Sequence, residues 1–383
     1  MKKTTRGAES SSRAHRPPTA RRGTSTRAEI LSQPQTWRES ARQFAAHGTF
    51  AQLARTFSAS APWLFVACGS SYYLSRVIAA QWTRLLRVGC TAVPASELLF
   101  APEETFARTG ARQIALLSRS GKTTEVLRVA ESLHGRAGIT TLGVTCSVDS
   151  ALAQWCTQLV TLPWADEQSM VMTRSFTAIL LLFAGLGAHL AEDASLAAAL
   201  GALPEQAEAW LAANADRIRA FGASRAFGAF VFLGQGAHYW LAQEAALKLT
   251  EMSSSYAQAY HTLEFRHGPK SIASPDTLIT LLLSDAAAAE ESLLVGELRK
   301  LRAPTLVIAN RATPSLQRES SLLVELRSPE PEFARLAITA IPAQLLGLAV
   351  GLRKRLNPDV PRNLTRAVVL NSLDGAAAPR STP

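Results

Sequence analysis

The chain has 383 residues, more than a single hydrophobic core usually serves, so two domains are expected. Hydrophobic residues make up 47% of it, which is enough to bury large cores. The four cysteines are scattered and form no C-x-x-C pair. This pattern suits a reducing compartment and argues against a disulfide scaffold or a zinc site, so a cytoplasmic location is expected.

The net charge of +10 is concentrated at the N-terminus. Residues 1–27 hold eight basic residues against one acid, Glu9, and are rich in Ser, Thr, Arg and Pro. We expect a disordered basic tail over 1–27, because almost nothing in it can be buried. The rest of the chain is nearly balanced, so no specific nucleic-acid partner is expected. The tail lacks the apolar core of a secretory signal, so export is not expected either.

No membrane partner is expected. The longest apolar run noted in the sequence, 176–191, has 16 residues and is interrupted by two glycines and His189. A membrane-spanning helix needs about 20 residues, so this run suits a buried helix better.

From residue 28 onward, strands alternate with helices. Strands are predicted at 63–67, 91–94, 114–117, 139–145 and 159–162. Helices are predicted at 36–46, 49–58, 72–86, 96–100, from 124 onward, and at 173–191. This alternation predicts an α/β fold in which helices cover both faces of a parallel sheet, giving three α/β/α layers.

The pattern then restarts. After an Ala-rich linker helix at 196–222, residues 230–236 resemble 64–70, at an offset of about 165 residues. At nearly the same offset, 281–284 resemble 116–118 and 305–308 resemble 141–144. Three matches at one spacing indicate an internal duplication. We therefore predict domains at 28–195 and 223–370, with a C-terminal tail at 371–383.

The turn after the strand at 114–117 is rich in hydroxyl groups. It reads Ser-Arg-Ser-Gly-Lys-Thr-Thr over 118–124, and a helix follows. Free N–H groups at a helix N-terminus, together with short hydroxyl donors and Gly121, suit a phosphate; an ordinary helix cap is the alternative. A nucleotide P-loop is excluded, because its first glycine would fall on Leu116. In the second copy Ser284 is followed by Asp285, whose charge would repel phosphate.

The predicted helix at 237–252 carries Glu244, Lys248 and Glu251 at i, i+4 and i+7. At about 100° per residue, the three side chains share one face. A solvated stripe with an ion pair is one interpretation. However, the alanine and leucine neighbours leave little other polar surface, which favours partial enclosure. His267 follows in a Gly-Pro turn and is an acid/base candidate.

Six stretches together resemble one family. They are Cys-Gly-Ser-Ser at 68–71, Ser-Arg-Ser-Gly at 118–121, and the segments 169–177, 244–251, 264–269 and 361–366. In this order and spacing the chain resembles tandem sugar isomerase (SIS) proteins over residues 29–370. The resemblance is to the isomerase half of glutamine–fructose-6-phosphate aminotransferase, and more closely to free-standing amino-sugar-6-phosphate deaminase/isomerases.

The resemblance implies roles for single residues. Glu251 would move a proton between C1 and C2 of the sugar, and Glu244 and Lys248 would orient the substrate or complete the helix face. His267 would open the ring, in this family often from the neighbouring subunit, which implies a homodimer with a shared site. Arg366 stands where the aminotransferase has a lysine, and because arginine does not readily lose its proton, a Schiff-base role is not expected. The substrate would be bound by Gly69, Ser70, Ser71, Ser118, Arg119, Ser120, Thr123, Thr173 and Arg366.

The resemblance also implies a reaction. The aminotransferases begin with a glutaminase domain whose cysteine follows the initiator Met, whereas Lys2 and Lys3 stand here, so no glutaminase domain is expected. We therefore expect a deaminase/isomerase that releases ammonia from a hexosamine 6-phosphate without a metal or other cofactor. Two alternatives remain open: a non-catalytic sugar-phosphate-binding regulator, and a fructosamine-6-phosphate deglycase.

Overall fold

The structure is a computed structural model that describes residues 22–370. It contains two sheets of five parallel strands each. The first sheet is made of β1 (Trp63–Ala67), β2 (Cys90–Pro94), β3 (Gln113–Leu117), β4 (Thr140–Thr145) and β5 (Gln158–Thr161). The second is made of β6 (Ala229–Gly234), β7 (Ala257–His261), β8 (Thr277–Leu282), β9 (Thr305–Ala309) and β10 (Leu322–Glu325).

The two sheets have the same topology. The strand orders are β2-β1-β3-β4-β5 and β10-β9-β8-β6-β7, which become identical when each strand of the second sheet is matched to its counterpart in the first. The predicted parallel α/β architecture and its duplication are therefore confirmed. Predicted and observed strands of the first sheet agree to within one residue at each end, because each is a short apolar run bounded by polar residues.

Helices lie on both faces of each sheet. Those of the first half are α1 (Thr24–Leu31), α2 (Gln33–Ala46), α3 (Thr49–Ala54), α4 (Ser70–Leu86), α5 (Ala95–Phe100), α6 (Pro102–Thr109), α7 (Thr124–Leu133), α8 (Leu152–Trp155) and α9 (Arg174–Leu190). The others are α10 (Ala194–Ala223), α11 (Ala237–Ser253), α12 (Ala288–Lys300), α13 (Pro314–Glu319) and α14 (Glu332–Arg353). Three short 3-10 turns lie at 163–165, 264–266 and 269–272.

One continuous core joins the two halves. It contains the inner faces of both sheets and the buried sides of α4, α9, α10, α11 and α14, while two smaller cores lie under α7 and under α12 on the outer faces. Helix α14 is long and apolar enough to cross a membrane, but its apolar window is entirely buried inside the protein. It is longer than the run at 176–191 that the sequence analysis singled out. The four cysteines are free thiols.

The chain ends differ from the predicted boundaries. Residues 1–21 and 371–383, where tails were predicted, lie outside the described part. Residues 22–27 do not belong to a tail, because α1 begins at Thr24 and the buried Thr26 hydroxyl donates to Asp359 Oδ1 at 2.8 Å. This segment is fixed by hydrogen bonds and not by apolar side chains. Its polar composition therefore did not indicate that it is part of the folded protein.

The C-terminal segment, residues 356–370, was assigned to the second domain but returns to the first. The amide of Met170 donates to the Asp359 carbonyl at 3.0 Å, and the amide of Thr124 donates to the Val368 carbonyl at 3.2 Å. The predicted boundary at residue 370 therefore groups this segment with the wrong sheet.

Helix α14 packs so closely on α11 that a methyl group does not fit between them. A Cβ added at Gly351 would lie 2.2 Å from the Met252 carbonyl oxygen. We expect Gly351→Ala to lower the free energy of unfolding by about 1–3 kcal/mol, because backbone cannot move aside as a side chain does. Gly201→Ala in α10 is the control: nothing lies within 4 Å of its added Cβ, so about 0.5–1 kcal/mol of stabilisation is expected. Urea unfolding measures both; equal stability of G351A and the wild type would contradict this packing.

Candidate active site

The first sheet has a crevice where its strand order reverses. Strands β1 and β3 lie side by side, with Ala67 opposite Leu117, and their connections leave toward opposite faces. In open parallel sheets, ligands bind outside the carboxyl ends of the strands at such a point. The turns that follow these two strands are the ones singled out in the sequence, 68–71 and 118–123.

The first turn begins with a glycine in a left-handed conformation. Gly69 has a φ of 55°, a region that glycine enters without steric strain, and α4 starts directly after it. Ser70 and Ser71 occupy the first positions of α4 and are both buried. The Ser71 hydroxyl lies 3.5 Å from Met172 Sδ, which places it beside the loop that precedes α9.

The second turn is held by its own hydroxyl groups. Ser118 and Thr123 share a hydrogen bond of 3.0 Å between their side-chain oxygens, and the Ser120 hydroxyl accepts from the amide of Lys122 at 3.2 Å. Thr123 precedes α7 but makes no side-chain cap bond, so a simple helix cap does not describe this turn. Gly121 is required, because its φ is 65° and an added Cβ would lie 2.4 Å from Ser150 Oγ.

Arg119 is buried and points into the protein rather than into the crevice. Its guanidinium pairs with the buried Glu167 at 3.0 Å and donates to the carbonyls of Met170 at 2.9 Å and Arg366 at 3.2 Å. Thr173 is also buried, and its amide and hydroxyl both donate to Glu167. These two residues were predicted to bind the substrate. Instead, they stabilise the turn through their contacts with the buried Glu167.

Glu167 was missed in the sequence. Its carboxylate accepts from Arg119, from Thr173 and from both the amide and hydroxyl of Ser175. It stands in an irregular loop between β5 and α9, where neither helical nor strand periodicity marks a residue as buried. The only sequence signal was an acid just before the stretch 169–177.

Helix α11 brings its three charged residues to the junction with α4. Glu244 and Lys248 are buried, and the Glu251 side chain is 17% exposed. Lys248 Nζ lies 3.6 Å from Glu244 Oε1 and forms a short ion pair with Glu251. The predicted enclosed charged face is therefore present, and the alternative of a solvated stripe is wrong.

Burial controls the protonation of this group. It raises the pKa of Glu244 to about 8, although Lys248 and the Ser70 hydroxyl act in the opposite direction. Neither Glu244 oxygen has a well-formed hydrogen bond within the described residues. Burial by itself would lower the pKa of Lys248, but the carboxylates of Glu251 and Glu244 outweigh it and raise that pKa. The charge of Arg119, which stands in the serine turn (residues 118–123), also acts on Lys248 and lowers its pKa slightly.

Glu251 lines a cavity of about 250 Å³ beside the C-terminal end of α11. The C-terminal segment and the N-terminal Arg22 form its opposite wall. Three arginines line it, namely Arg22, Arg355 and Arg362.

Two predicted site residues lie elsewhere in the single chain. His267 is exposed in the turn between the 3-10 turns at 264–266 and 269–272. Its neighbours Arg266 and Lys270 pair with Glu297 of α12 at 3.0 and 2.8 Å, on the sheet face opposite α11. No contact joins it to Glu251 or Lys248 within residues 22–370. Arg366 is exposed and pairs with Asp166 at 2.5 Å, so only its carbonyl approaches the serine turn.

The second copy of the crevice has changed. Gly236 repeats the conformation of Gly69, but the strand register places Leu282 at the position of Leu117. Leu283 therefore replaces Ser118, and the match of Ser284 to Ser118 was wrong by one residue. Ser284 donates to the buried Glu291, and Asp285 pairs with Arg335.

Comparison with known proteins places the chain. Residues 228–350 match the SIS domain family. The sequence is 27% identical to a glutamine–fructose-6-phosphate aminotransferase of Gloeobacter violaceus over 319 residues, and 29% identical to that of Zymomonas mobilis over 318 residues. Each alignment covers 80% of this chain but 51% of the relative, so the chain spans about half the length of these curated relatives.

Residues 228–350 therefore match a SIS domain, and the two parallel five-stranded sheets match the fold of tandem SIS proteins, as the resemblance implied. The crystal structure of glucosamine-6-phosphate deaminase from Thermotoga maritima superposes with a TM-score of 0.71 at 28% identity, covering 91% of this chain and all of that one. Tagatose-6-phosphate ketose/aldose isomerase from Escherichia coli shares the fold, with a TM-score of 0.79 at 20% identity, covering 94% of this chain and all of that one.

The raised pKa of Glu244 predicts a pH-dependent stability. The folded protein holds this proton more tightly than the unfolded chain, whose carboxyl has its ordinary pKa of 4.5. The free energy of unfolding should therefore fall as pH rises from about 4.5 to about 8, by at most a few kcal/mol, since one pKa unit is worth about 1.4 kcal/mol.

Glu244→Gln removes the titrating group and should flatten the profile in this window. Urea unfolding at a series of pH values between about 4.5 and about 8 measures the effect. Glu208→Gln, at a half-exposed ion pair with Arg38, is the control and should keep the wild-type profile. Parallel profiles for E244Q and the wild type would exclude Glu244 as the responsible group.

Proposed function

We propose that this SIS protein is an amino-sugar-6-phosphate deaminase/isomerase. The observation that carries the proposal is the enclosed Glu244–Lys248–Glu251 face on α11, packed against α4, which begins at the same switch point of the first sheet as the hydroxyl-rich turn. The turn suits the phosphate end of a sugar, and the charged face suits proton transfer at the other end. Similarity to the Thermotoga maritima deaminase over nearly the whole chain supports release of ammonia as the reaction.

The phosphate would be held by Ser71, Ser118, Ser120 and Thr123, near the N-terminus of α7. Short hydroxyl donors and the partial positive charge of a helix N-terminus favour an oxyanion. Arg119 and Thr173 would act indirectly, by fixing the turn and the loop before α9 through Glu167.

Glu251 would act as the base. Its carboxylate pairs with Lys248, and its side chain lines the cavity of about 250 Å³. It would take the proton from C2 of the open-chain amino sugar and return one at C1. The C2–N bond then becomes an imine, and water adds to C2 and expels ammonia to leave the ketose 6-phosphate.

Glu244 and Lys248 would play supporting parts. With a pKa of about 8, Glu244 is mostly neutral at pH 7 and can hold a proton in a place where a second negative charge would be costly. Lys248 then balances the single negative charge of Glu251. His267 would open the sugar ring from a second subunit, since it lies on the far face of its own sheet. The proposed assembly is therefore a homodimer with shared sites.

The reaction can be tested with purified protein. Glucosamine 6-phosphate and galactosamine 6-phosphate are supplied as substrates, and ammonia and ketose phosphate are measured. Glu251→Gln should lower kcat by about 10²–10⁴-fold, the usual contribution of a general base, with KM nearly unchanged. Glu208→Gln should keep wild-type activity. If E251Q lost phosphate affinity as strongly as turnover, Glu251 would not be the base.

The serine turn is tested by affinity. Ser120→Ala combined with Thr123→Ala should raise KM for the sugar phosphate by at least about tenfold, because each lost hydrogen bond to an ionised group is worth about 1.5–3 kcal/mol. Ser132→Ala in α7, where the hydroxyl donates to the Val129 carbonyl, is the control and should leave KM unchanged. Unchanged affinity in the double variant would contradict the phosphate site.

The same assay separates the alternatives. Tight sugar-phosphate binding without any turnover would favour a regulatory protein. Release of an amino acid from a fructosamine 6-phosphate, with no reaction on hexosamine phosphates, would favour a deglycase.

A further inference from the structure

The cavity at Glu251 has an excess of positive charge. Its charged lining consists of Glu251 and the three arginines at positions 22, 355 and 362. Glu251 is already paired with Lys248, which cancels its charge. Within residues 22–370, none of the three guanidinium groups lies within 4.0 Å of a carboxylate. The nearby acid Asp359 is engaged by the amide and hydroxyl of Thr26.

The three arginines are held together by the fold. Arg355 follows the last turn of α14, and Arg22 donates from Nη1 to its carbonyl oxygen at 2.8 Å. Arg362 follows on the same C-terminal loop, which is tied to the N-terminus by Asn357 Oδ1 accepting from the amide of Gly23 at 2.9 Å. The first described residues and the loop that follows α14 thus meet at this cavity, which keeps the three arginines near one another.

Arg355 has a backbone conformation that favours glycine. Its φ is 59°, in the left-handed region where a helix commonly ends and where glycine is preferred. An arginine there has a backbone cost that glycine would not have. The backbone alone therefore does not account for an arginine at this position.

We propose that the cavity lined by Arg22, Glu251, Arg355 and Arg362 is a second oxyanion-binding subsite, separate from the serine turn, that takes a phosphate or carboxylate group. Guanidinium groups bind such planar or tetrahedral oxyanions through paired N–H donors. Two sources share this chemistry. The anion is either a second charged group of the substrate, next to the reacting carbons at Glu251, or a free anion that controls access to Glu251.

The volume of the cavity limits the size of the ligand. At about 250 Å³ it is too small for a nucleotide but admits a phosphate or a carboxylate with a few attached atoms. Beyond Arg362, the C-terminal segment continues to the serine turn, where the Val368 carbonyl accepts from the amide of Thr124. One short segment therefore borders both anion sites.

Equilibrium binding to the full chain tests the proposal without requiring turnover. Inorganic phosphate is titrated against the wild type, Arg355→Gly, Arg362→Ala and the Ser120→Ala/Thr123→Ala double variant. Arg355→Gly removes the guanidinium at a backbone position that prefers glycine, so this variant should remain folded. Arg302→Gly is the matched control, with a φ of 57° at the end of α12 and away from the cavity.

We expect two phosphate sites in the wild type and one in R355G. The R355G and R362A changes should each weaken the cavity site by at least about tenfold, the effect of losing one charge-assisted hydrogen bond. R302G should bind like the wild type. If R355G and R362A bound phosphate as the wild type does, the proposal would be overturned. Loss of the serine-turn site alone would count against the proposed function but not against this cavity.

Two further arms identify the source of the anion. If the substrate supplies it, a hexose 6-phosphate whose nitrogen carries a carboxymethyl group should bind at least about tenfold tighter than the amino sugar phosphate, and R355G should abolish that difference. If a free anion supplies it, inorganic phosphate should alter binding of the amino sugar phosphate to the wild type but not to R355G. If the wild type showed neither effect, the cavity would have no ligand and the proposal would be refuted.

Discussion

The buried ammonium group of Lys248 is the constraint on which the site depends. Removing a charge from water costs several kcal/mol, and here only Glu244 and Glu251 compensate for it. All three lie on α11, yet their burial requires α4 of the other domain, which begins at Ser70 beside Glu244. If the domains separated, the charges would be rehydrated and the raised pKa of Glu244 would return toward its ordinary value. The protonation state that suits proton transfer is therefore a property of the assembled pair.

A second buried charge, Arg119, links the parts that surround the crevice. Its pair with Glu167 lies under the serine turn, and its remaining donors reach Met170 and Arg366. The same guanidinium thus holds the turn, the loop before α9 and the C-terminal segment. Removing one partner of a buried pair typically costs about 3–5 kcal/mol, because the other charge remains unpaired. Arg119 therefore stabilises the conformation of the turn, while the neighbouring serines remain available for a ligand.

The sequence predicted what depends on local pattern. Short apolar runs gave the strands, the charged spacing gave the face of α11, and the repeated order gave the tandem architecture. It did not predict contacts between distant segments. Thr26 meets Asp359 across the whole chain, and Glu167 lies in a loop without periodicity. Helix α14 was not predicted, because it is apolar on all sides and lacks the one-sided pattern of a surface helix. Such a composition is typical of a helix that is enclosed by other helices.

The duplication explains why both domains are needed. If Gly69 is aligned with Gly236, then Glu244, Lys248 and Glu251 of α11 correspond to Val77, Gln81 and Arg84 of α4. The first copy therefore has the hydroxyl-rich turn but no acids on the matching helix. The second copy has the acids, but Leu283 stands in place of Ser118. Since α4 and α11 pack against each other, the turn at 68–71 that leads into α4 lies beside the helix of the other copy. Neither copy alone contains both the hydroxyl-rich turn and the buried acidic face, so the proposed site needs both domains.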